Sequence, residues 1–355
     1  MSVHRGNENP FLAELIPVAF THDIVFEAIL TLSGIHYAES NNIPVDETTW
    51  LHYGQAIQSL KFKLTSFVSG DDTGLMLLVT ALLLCTIESL RGGSGANAIQ
   101  HMKGARHLLT SVLSLPNVNT ADALHLFLIE YYSYVSVLSN ITLGADSDSW
   151  IHEDASLFFP LIAARGGSSS GMMCGNIHEL FQLIPQVSSV ARKRIEEQNH
   201  HGTLSWEVQS SYLSLRQMIL AWRSNSDDEE IIVCGKIYQL GLLLYLAVYF
   251  EKGHNAAGEA KSNLDQAFES FAELLDALPV DSPSSTTLCW PLVIFGSCAR
   301  HPPYRNLIRT RMKGMSDHLA LTNIREALSL LEVIWESNDE NLLHPQGITQ
   351  IMEKR

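Results

Sequence analysis

Tyrosines that recur at helical spacing in two apolar segments are the residues of this sequence whose types and spacing best suit ligand binding. The first segment spans residues 121–143 and the second spans residues 231–249. A buried tyrosine contributes apolar area and one hydroxyl that requires a hydrogen-bond partner. Several such groups around a mostly apolar space are typical of a small-molecule pocket. The predicted ligand-binding residues, which include one histidine and one tryptophan from apolar stretches, are Tyr131, Tyr134, Tyr238, Tyr245, His125 and Trp290.

Plain core packing explains the same tyrosines, and the sequence leaves both interpretations open. A single aromatic residue on an apolar helix face is more often part of the core than a ligand contact. In the second segment, however, Tyr238, Tyr245 and Tyr249 recur at intervals of seven and four, and in the first Glu130 adds a polar group. For the set as a whole, a cavity that takes a hydrophobic small molecule is the favoured hypothesis.

Other chemistry has little support in the spacing of the residues. The nucleotide-binding patterns GxGxxG and GxxxxGK[ST] and the hydrolase patterns HExxH and GxSxG are all missing. His101 and His107 lie six apart, which does not place them on one helix face. Cys298 and His301 have the spacing of a nucleophile and its base, but the prolines that follow are predicted to end that helix. We therefore expect neither a metal nor a cofactor.

Helices must position these residues, because apolar side chains repeat at helical spacing along the whole chain and no segment alternates with period two. The predicted fold is all-α, a single domain over residues 1–355 with roughly a dozen helices around a central, largely apolar cavity. Flexible loops are predicted near residues 165–175 and 223–230, where glycine, serine and charged residues accumulate. The longest predicted helices cover residues 75–90, 121–143, 231–249, 260–278, 286–297 and 320–335.

Composition limits the classes of function. Hydrophobic residues make up 46% of the 355 residues, charged residues only 17%, and the net charge is −15. A nucleic-acid-binding protein needs a cationic surface, which this composition does not provide, so direct binding to nucleic acid is not expected. Five widely separated cysteines and the lack of an apolar amino-terminal segment favour an intracellular location, in cytoplasm or nucleus, and no membrane association is expected. Three arginines beside apolar motifs, Arg91, Arg106 and Arg300, are predicted to form structural ion pairs.

Four stretches together resemble the fungal-specific transcription factor domain of the second type. They are NPF with LAELIPVAF and AILTLSGIHYAES near the start, HYGQAIQSLKFKL at His52–Leu64, LLVTALLLCTIESLRGG followed by HMKGARHLL, and CWPLVIFGSCA followed by NIREALSLLEVIW near the end. The resemblance implies an irregular helical array with a central cavity, often dimeric, and some relatives bind lipophilic effectors. In that family the domain follows a zinc cluster with six closely spaced cysteines, whereas this sequence contains no CxxC pair.

Three hypotheses follow from this departure. The first is a stand-alone, cofactor-free enzyme of fungal secondary metabolism that catalyses a cyclisation, a cycloaddition of the Diels–Alder type or an isomerisation by orientation and hydrogen bonding. The second is a transcriptional co-regulator or ligand sensor without its own DNA-binding module. Homodimer formation is a further possibility that the resemblance implies. The third is a fragment of a longer transcription factor.

Overall fold

Helices account for the regular structure of this computed structural model, which describes residues 9–352 except 69–72, 93–94, 115–121, 140–147, 164–170, 172, 176, 201–202, 251–256 and 338. In these residues the only β pairing is an isolated antiparallel bridge between Gly171 and Gly175. The predicted all-α class is confirmed. The fifteen α-helices found there are α1 Ile16–Ala19, α2 Asp23–Asn41, α3 Glu47–Ser66, α4 Thr73–Arg91, α5 Ala96–Leu113, α6 Ala123–Ser139, α7 Asp148–Ala163, α8 His178–His200, α9 Trp206–Ala221, α10 Glu229–Phe250, α11 Ala257–Ala277, α12 Cys289–Cys298, α13 Pro302–Leu319, α14 Thr322–Glu336 and α15 Pro345–Met352.

Two apolar helices form the centre of the packing. Helix α4 contacts α2, α3, α5, α6 and α14, and helix α10 contacts α8, α9, α11 and α12. Both are long and apolar enough to cross a membrane by length and composition, but 78% and 61% of their most apolar windows are buried inside the protein. A helix that is apolar on all sides and covered by other helices is a core helix.

Local chemistry moves some predicted helix ends. Before α10, the Asp228 carboxylate accepts hydrogen bonds from the backbone N–H of Glu230 and Ile231, so Asp228 caps the helix, which begins two residues before the predicted position 231. The predicted helix 286–297 is a short 3₁₀ helix, Pro283–Thr287, followed by α12. Ala320 has φ of 50°, a left-handed conformation that ends α13, so the next helix begins at Thr322 rather than at Ala320.

The predicted loops are described only in part. Residues 223–228 connect α9 and α10 without helical structure. Most of the glycine- and serine-rich stretch 165–175 lies outside the described residues. Its end packs on α6, where the buried Glu130 carboxylate accepts hydrogen bonds from the backbone N–H of Met173 and Cys174. The domain boundaries 1–355 stay a prediction.

Two of the three predicted arginine braces are formed. Arg91 lies 2.9 Å from Glu88, and its guanidinium covers the rings of Trp50 and Tyr53 at 4.7 and 5.1 Å. Arg106 pairs with a buried aspartate on α7. Arg300 is exposed, and no ion pair of this residue is seen within the described part of the chain.

Candidate ligand-binding site

A row of buried aromatic rings in mutual contact contains four of the predicted residues. Tyr134 stacks on Phe181 with ring centroids 5.6 Å apart, and Phe181 lies 4.8 Å from Tyr238. Tyr238 stacks in parallel on Trp290 at 5.7 Å, and Tyr245 contacts the same indole at 6.4 Å. Helices α6, α8, α10 and α12 therefore bring together residues that are far apart in the sequence. Phe181 was not predicted, because nothing in its local sequence marks it as a contact of α6 and α10.

A cavity of about 280 Å³ lies beside this row of aromatic rings, between α4, α6, α12 and α14. We call it the Trp290 cavity. Its wall is mostly apolar, and no described residue that lines it carries a charge. The lining residues are Thr86, Ser89, Leu90, Tyr134, Val135, Leu138, Ser139, Thr286, Cys289, Trp290, Val293, Leu321, Asn323, Ile324, Ala327, Leu330 and Ile348. The volume is just below the range of about 300–1,000 Å³ that is typical of small-molecule sites.

Only two of the six predicted residues, Tyr134 and Trp290, line the Trp290 cavity. Tyr238 and Tyr245 stand behind Trp290, and their hydroxyls are used inside the protein. Tyr238 donates to the Thr287 carbonyl at 2.5 Å. The Tyr245 hydroxyl lies within 3.2 Å of the Ser188 hydroxyl and accepts a hydrogen bond from the Gln346 amide. These two tyrosines support the wall of the cavity without forming its surface.

The other two predicted residues lie further from the cavity surface. Tyr131 is fully buried against Phe127, and its hydroxyl bonds the hydroxyl of Thr86, which itself lines the cavity. His125 is in the first turn of α6, where its ring bonds the carboxylate of Asp122 at 3.0 Å. This hydrogen bond holds the pKa of Asp122 below its usual value. His125 therefore takes part in the start of α6 and does not reach the cavity.

Two residues that line the cavity carry hydrogen-bond donors without a partner in the described part of the chain. Trp290 is 3% exposed, and its indole Nε1 is buried with no hydrogen-bond partner in the described part of the chain. The Tyr134 hydroxyl also has no partner among the described residues. By contrast, the hydroxyls of Ser89, Ser139 and Thr286 each donate to a backbone carbonyl nearby in sequence. Buried donors are normally paired, so the indole N–H requires an explanation.

Acid–base groups are not available at this site. Burial raises the pKa of the Cys289 thiol to about 12, so it is protonated at neutral pH. Burial, together with Cys174 and other cysteines nearby, also raises the pKa of Tyr134 well above its ordinary value. The cavity can orient a molecule, but it offers neither a thiolate nor a phenolate.

The residues whose spacing offers little support for chemistry lie away from the Trp290 cavity. Cys298 is buried at the end of α12, whereas His301 is half exposed and faces Asp265 at 3.9 Å. His101 and His107 line a different groove of about 270 Å³ between α3, α4 and α5. No group of three or more potential metal ligands converges within the described residues.

A larger groove of about 420 Å³ lies between α9, α10 and α11. Two of its lining residues, Arg216 and Gln266, are exposed, so this groove is a surface feature. The Trp290 cavity is the better candidate site because, among the described residues that line it, only Asn323 is exposed.

Comparison with protein families supports the resemblance seen in the sequence. The family model described as fungal specific transcription factor domain matches residues 1–352. The chain belongs to this family. Comparison with curated proteins and with solved structures finds no match. Membership in the fungal transcription factor domain family indicates a regulatory, intracellular setting.

Proposed function

We propose that this fungal transcription factor domain is a ligand sensor that holds a neutral, hydrophobic small molecule in the Trp290 cavity. The observation that carries the proposal is an apolar cavity of about 280 Å³ between α4, α6, α12 and α14, without a charged lining residue in the described chain. Burying an ion in such a space is costly, whereas a neutral apolar molecule gains from leaving water. The cavity walls come from α4, α6, α12 and α14, so a bound ligand would contact four helices at once and could shift their arrangement.

Ligand binding should raise the thermal stability of the protein. A neutral hydrophobic compound that binds only the folded state, at a hundredfold excess over its Kd, should add about 2.7 kcal/mol to the free energy of unfolding. Replacing Ala327 by leucine places three more carbon atoms in the cavity wall and should greatly reduce this gain. The measurement is thermal unfolding with and without a panel of such compounds.

The control for this experiment is Ser329→Leu, which adds a leucine to the exposed face of the same helix. It should keep the full ligand-induced increase in melting temperature. Equal increases in the wild type and in Ala327→Leu would place binding outside the Trp290 cavity. No increase with any compound of the panel would remove the support for a ligand sensor.

Direct binding to duplex DNA is not part of the proposed function. With a net charge of −15, this chain would be repelled by the phosphates of DNA. It also has few basic residues that could displace the counterions of the phosphates. We expect no retardation of duplex DNA in a gel at physiological salt and micromolar protein. Sequence-specific retardation by the purified chain would contradict this. If the chain does not bind DNA itself, regulation depends on a partner that does. Homodimer formation and the choice between cytoplasm and nucleus stay predictions.

Cofactor-free catalysis is a second candidate function. It is favoured by one observation: the Tyr134 hydroxyl lines the cavity without a partner in the described chain, and the Cys289 thiol beside it is protonated at neutral pH. Such a site would accelerate cyclisation, cycloaddition or isomerisation by holding a reactive conformation and polarising a carbonyl group. Incubation of the purified protein with linear polyene precursors would test it. Product ratios identical to those without protein would count against catalysis.

A further inference from the structure

We propose that the outer face of α9 joins two copies of this chain in an antiparallel dimer, with the twofold axis at Leu213. The partner is a second copy of the chain, and the contact surface is one helix face on each copy. This inference goes beyond the proposed function and does not depend on it, because none of the described residues that line the Trp290 cavity belongs to α9.

Three large apolar side chains of α9 are exposed to solvent. Trp206 is 78% exposed, Leu213 52% and Leu220 42%. They recur every seven residues, so they lie in one row along the helix, opposite the buried side chains of Leu215 and Ile219. We call the three exposed residues the α9 stripe. A continuous exposed apolar patch with polar residues around it is typical of an interaction surface.

The α9 stripe carries no charge, whereas each copy of the chain carries a net charge of −15. Two copies therefore repel each other wherever their acidic surfaces meet. Glu207 and Arg216 are the only charged residues of α9, so the helix has no net side-chain charge. Glu207 lies to the side of the stripe, where it pairs with Lys193 of α8 at 3.1 Å. This face thus lets two acidic copies meet without repulsion.

The order of the apolar residues on this face is self-complementary. Trp206 and Leu220 each lie seven residues from Leu213. A rotation of 180° about an axis through Leu213 therefore places Trp206 of one copy opposite Leu220 of the other. A large and a smaller side chain then meet at both ends, which keeps the two helices evenly spaced. A parallel pair would instead place two indoles together at one end.

The polar residues beside the stripe fit the same rotation. Gln209 and Arg216 lie on one flank of the stripe, four residues before and three after the axis. The rotation brings them together, so the guanidinium can donate to the amide oxygen. On the other flank it brings Ser210 next to Gln217, which also form a donor and acceptor pair. No like charges are placed opposite each other.

Sedimentation of the full chain at several concentrations tests the dimer. A contact of one helix on each side is at the small end of protein interfaces, so we expect dissociation in the micromolar range. Leu213→Glu places two carboxylates at the twofold axis and should weaken the dimer by about a hundredfold or more. Phe62→Glu is the control, because it adds the same charge to a 77% exposed aromatic residue on α3 and should leave the dimer unchanged.

Cysteine cross-linking tests the position and direction of the axis. In Leu213→Cys, a bismaleimide that spans about 8 Å, close to the distance between packed helices, should join the two copies. In Trp206→Cys, the two new thiols would lie about 21 Å apart along the antiparallel helices, and the same reagent should not join them. The unmodified chain gives the background from its five cysteines.

Three results would overturn this inference. The first is a chain that stays monomeric at the highest concentration, which would leave the α9 stripe to a different partner. The second is a dimer that Leu213→Glu does not weaken. The third is cross-linking of Trp206→Cys without cross-linking of Leu213→Cys. Each of them leaves the ligand sensor standing, because no substituted residue lines the Trp290 cavity.

Discussion

Replacing Asp154 with alanine should lower the free energy of unfolding by about 3 kcal/mol, which is typical of the removal of one partner from a largely buried ion pair. Asp154 is 4% exposed on α7, and its two carboxylate oxygens accept hydrogen bonds from Arg106 Nε at 3.0 and 2.9 Å. The Tyr132 hydroxyl donates to the same carboxylate at 2.5 Å. The substitution would leave a buried hydroxyl and a half-buried guanidinium without their partner. Chemical denaturation of both proteins measures the difference.

The neighbouring Glu153 is a matched control, because it also approaches Arg106 but is 72% exposed and lies 3.6 Å away. Glu153→Ala should change stability by less than about 1 kcal/mol, as exposed ion pairs do. Tyr132→Phe removes one hydrogen bond and should cost about 1 kcal/mol. Similar losses for Asp154→Ala and Glu153→Ala would show that burial does not strengthen this network. The network joins α6, which carries the cavity residue Tyr134, to α5 and α7. Loss of the network should therefore also weaken ligand binding in the Trp290 cavity.

Replacing Arg311 with alanine should destabilise the protein by a similar amount, about 3 kcal/mol or more, through a different mechanism. Arg311 is 8% exposed and forms no ion pair in the described chain. Its guanidinium instead donates to the carbonyls of Leu278 and Pro279 at the end of α11 and to the Ser285 hydroxyl. Hydrogen bonds from a charged group contribute about 1.5–3 kcal/mol each, and those from one group are not additive. The negative end of the α11 dipole offsets part of the cost of burying the charge.

The contacts of Arg311 also fix the turn 279–287, which leads directly into α12. We therefore expect Arg311→Ala to lose ligand-induced stabilisation as well as global stability. Arg311→Lys keeps the charge and loses the forked geometry, so it should recover only part of the stability. Arg325→Ala is the control, because Arg325 forms an ion pair with Glu39 on the surface and should contribute less than about 1 kcal/mol. Unchanged unfolding and ligand binding in Arg311→Ala would contradict this account.

The helical class and most of the buried helix faces could be predicted from the sequence. The apolar stretch around Leu75–Ile87 lies in the buried helix α4, and the predicted segments near residues 231–249 and 260–278 form α10 and α11. These features depend on side chains three or four residues apart, which the sequence places next to one another on a helix. Helix ends were predicted less well, because Asp228 and Ala320 act through backbone conformation and local hydrogen bonds that spacing does not reveal.

The sequence by itself also determined the family, because its order of apolar motifs matches the family model over residues 1–352. Only the tertiary structure decided which aromatic residues surround the cavity. Tyr134, Tyr238 and Tyr245 occur in similar apolar sequences. The Tyr238 hydroxyl, however, bonds Thr287, and the Tyr245 hydroxyl bonds Ser188 and Gln346. Whether a buried hydroxyl or indole N–H has a partner depends on contacts between residues that are tens to hundreds of positions apart. Helical periodicity describes one helix at a time, so it predicts burial and does not predict the partner.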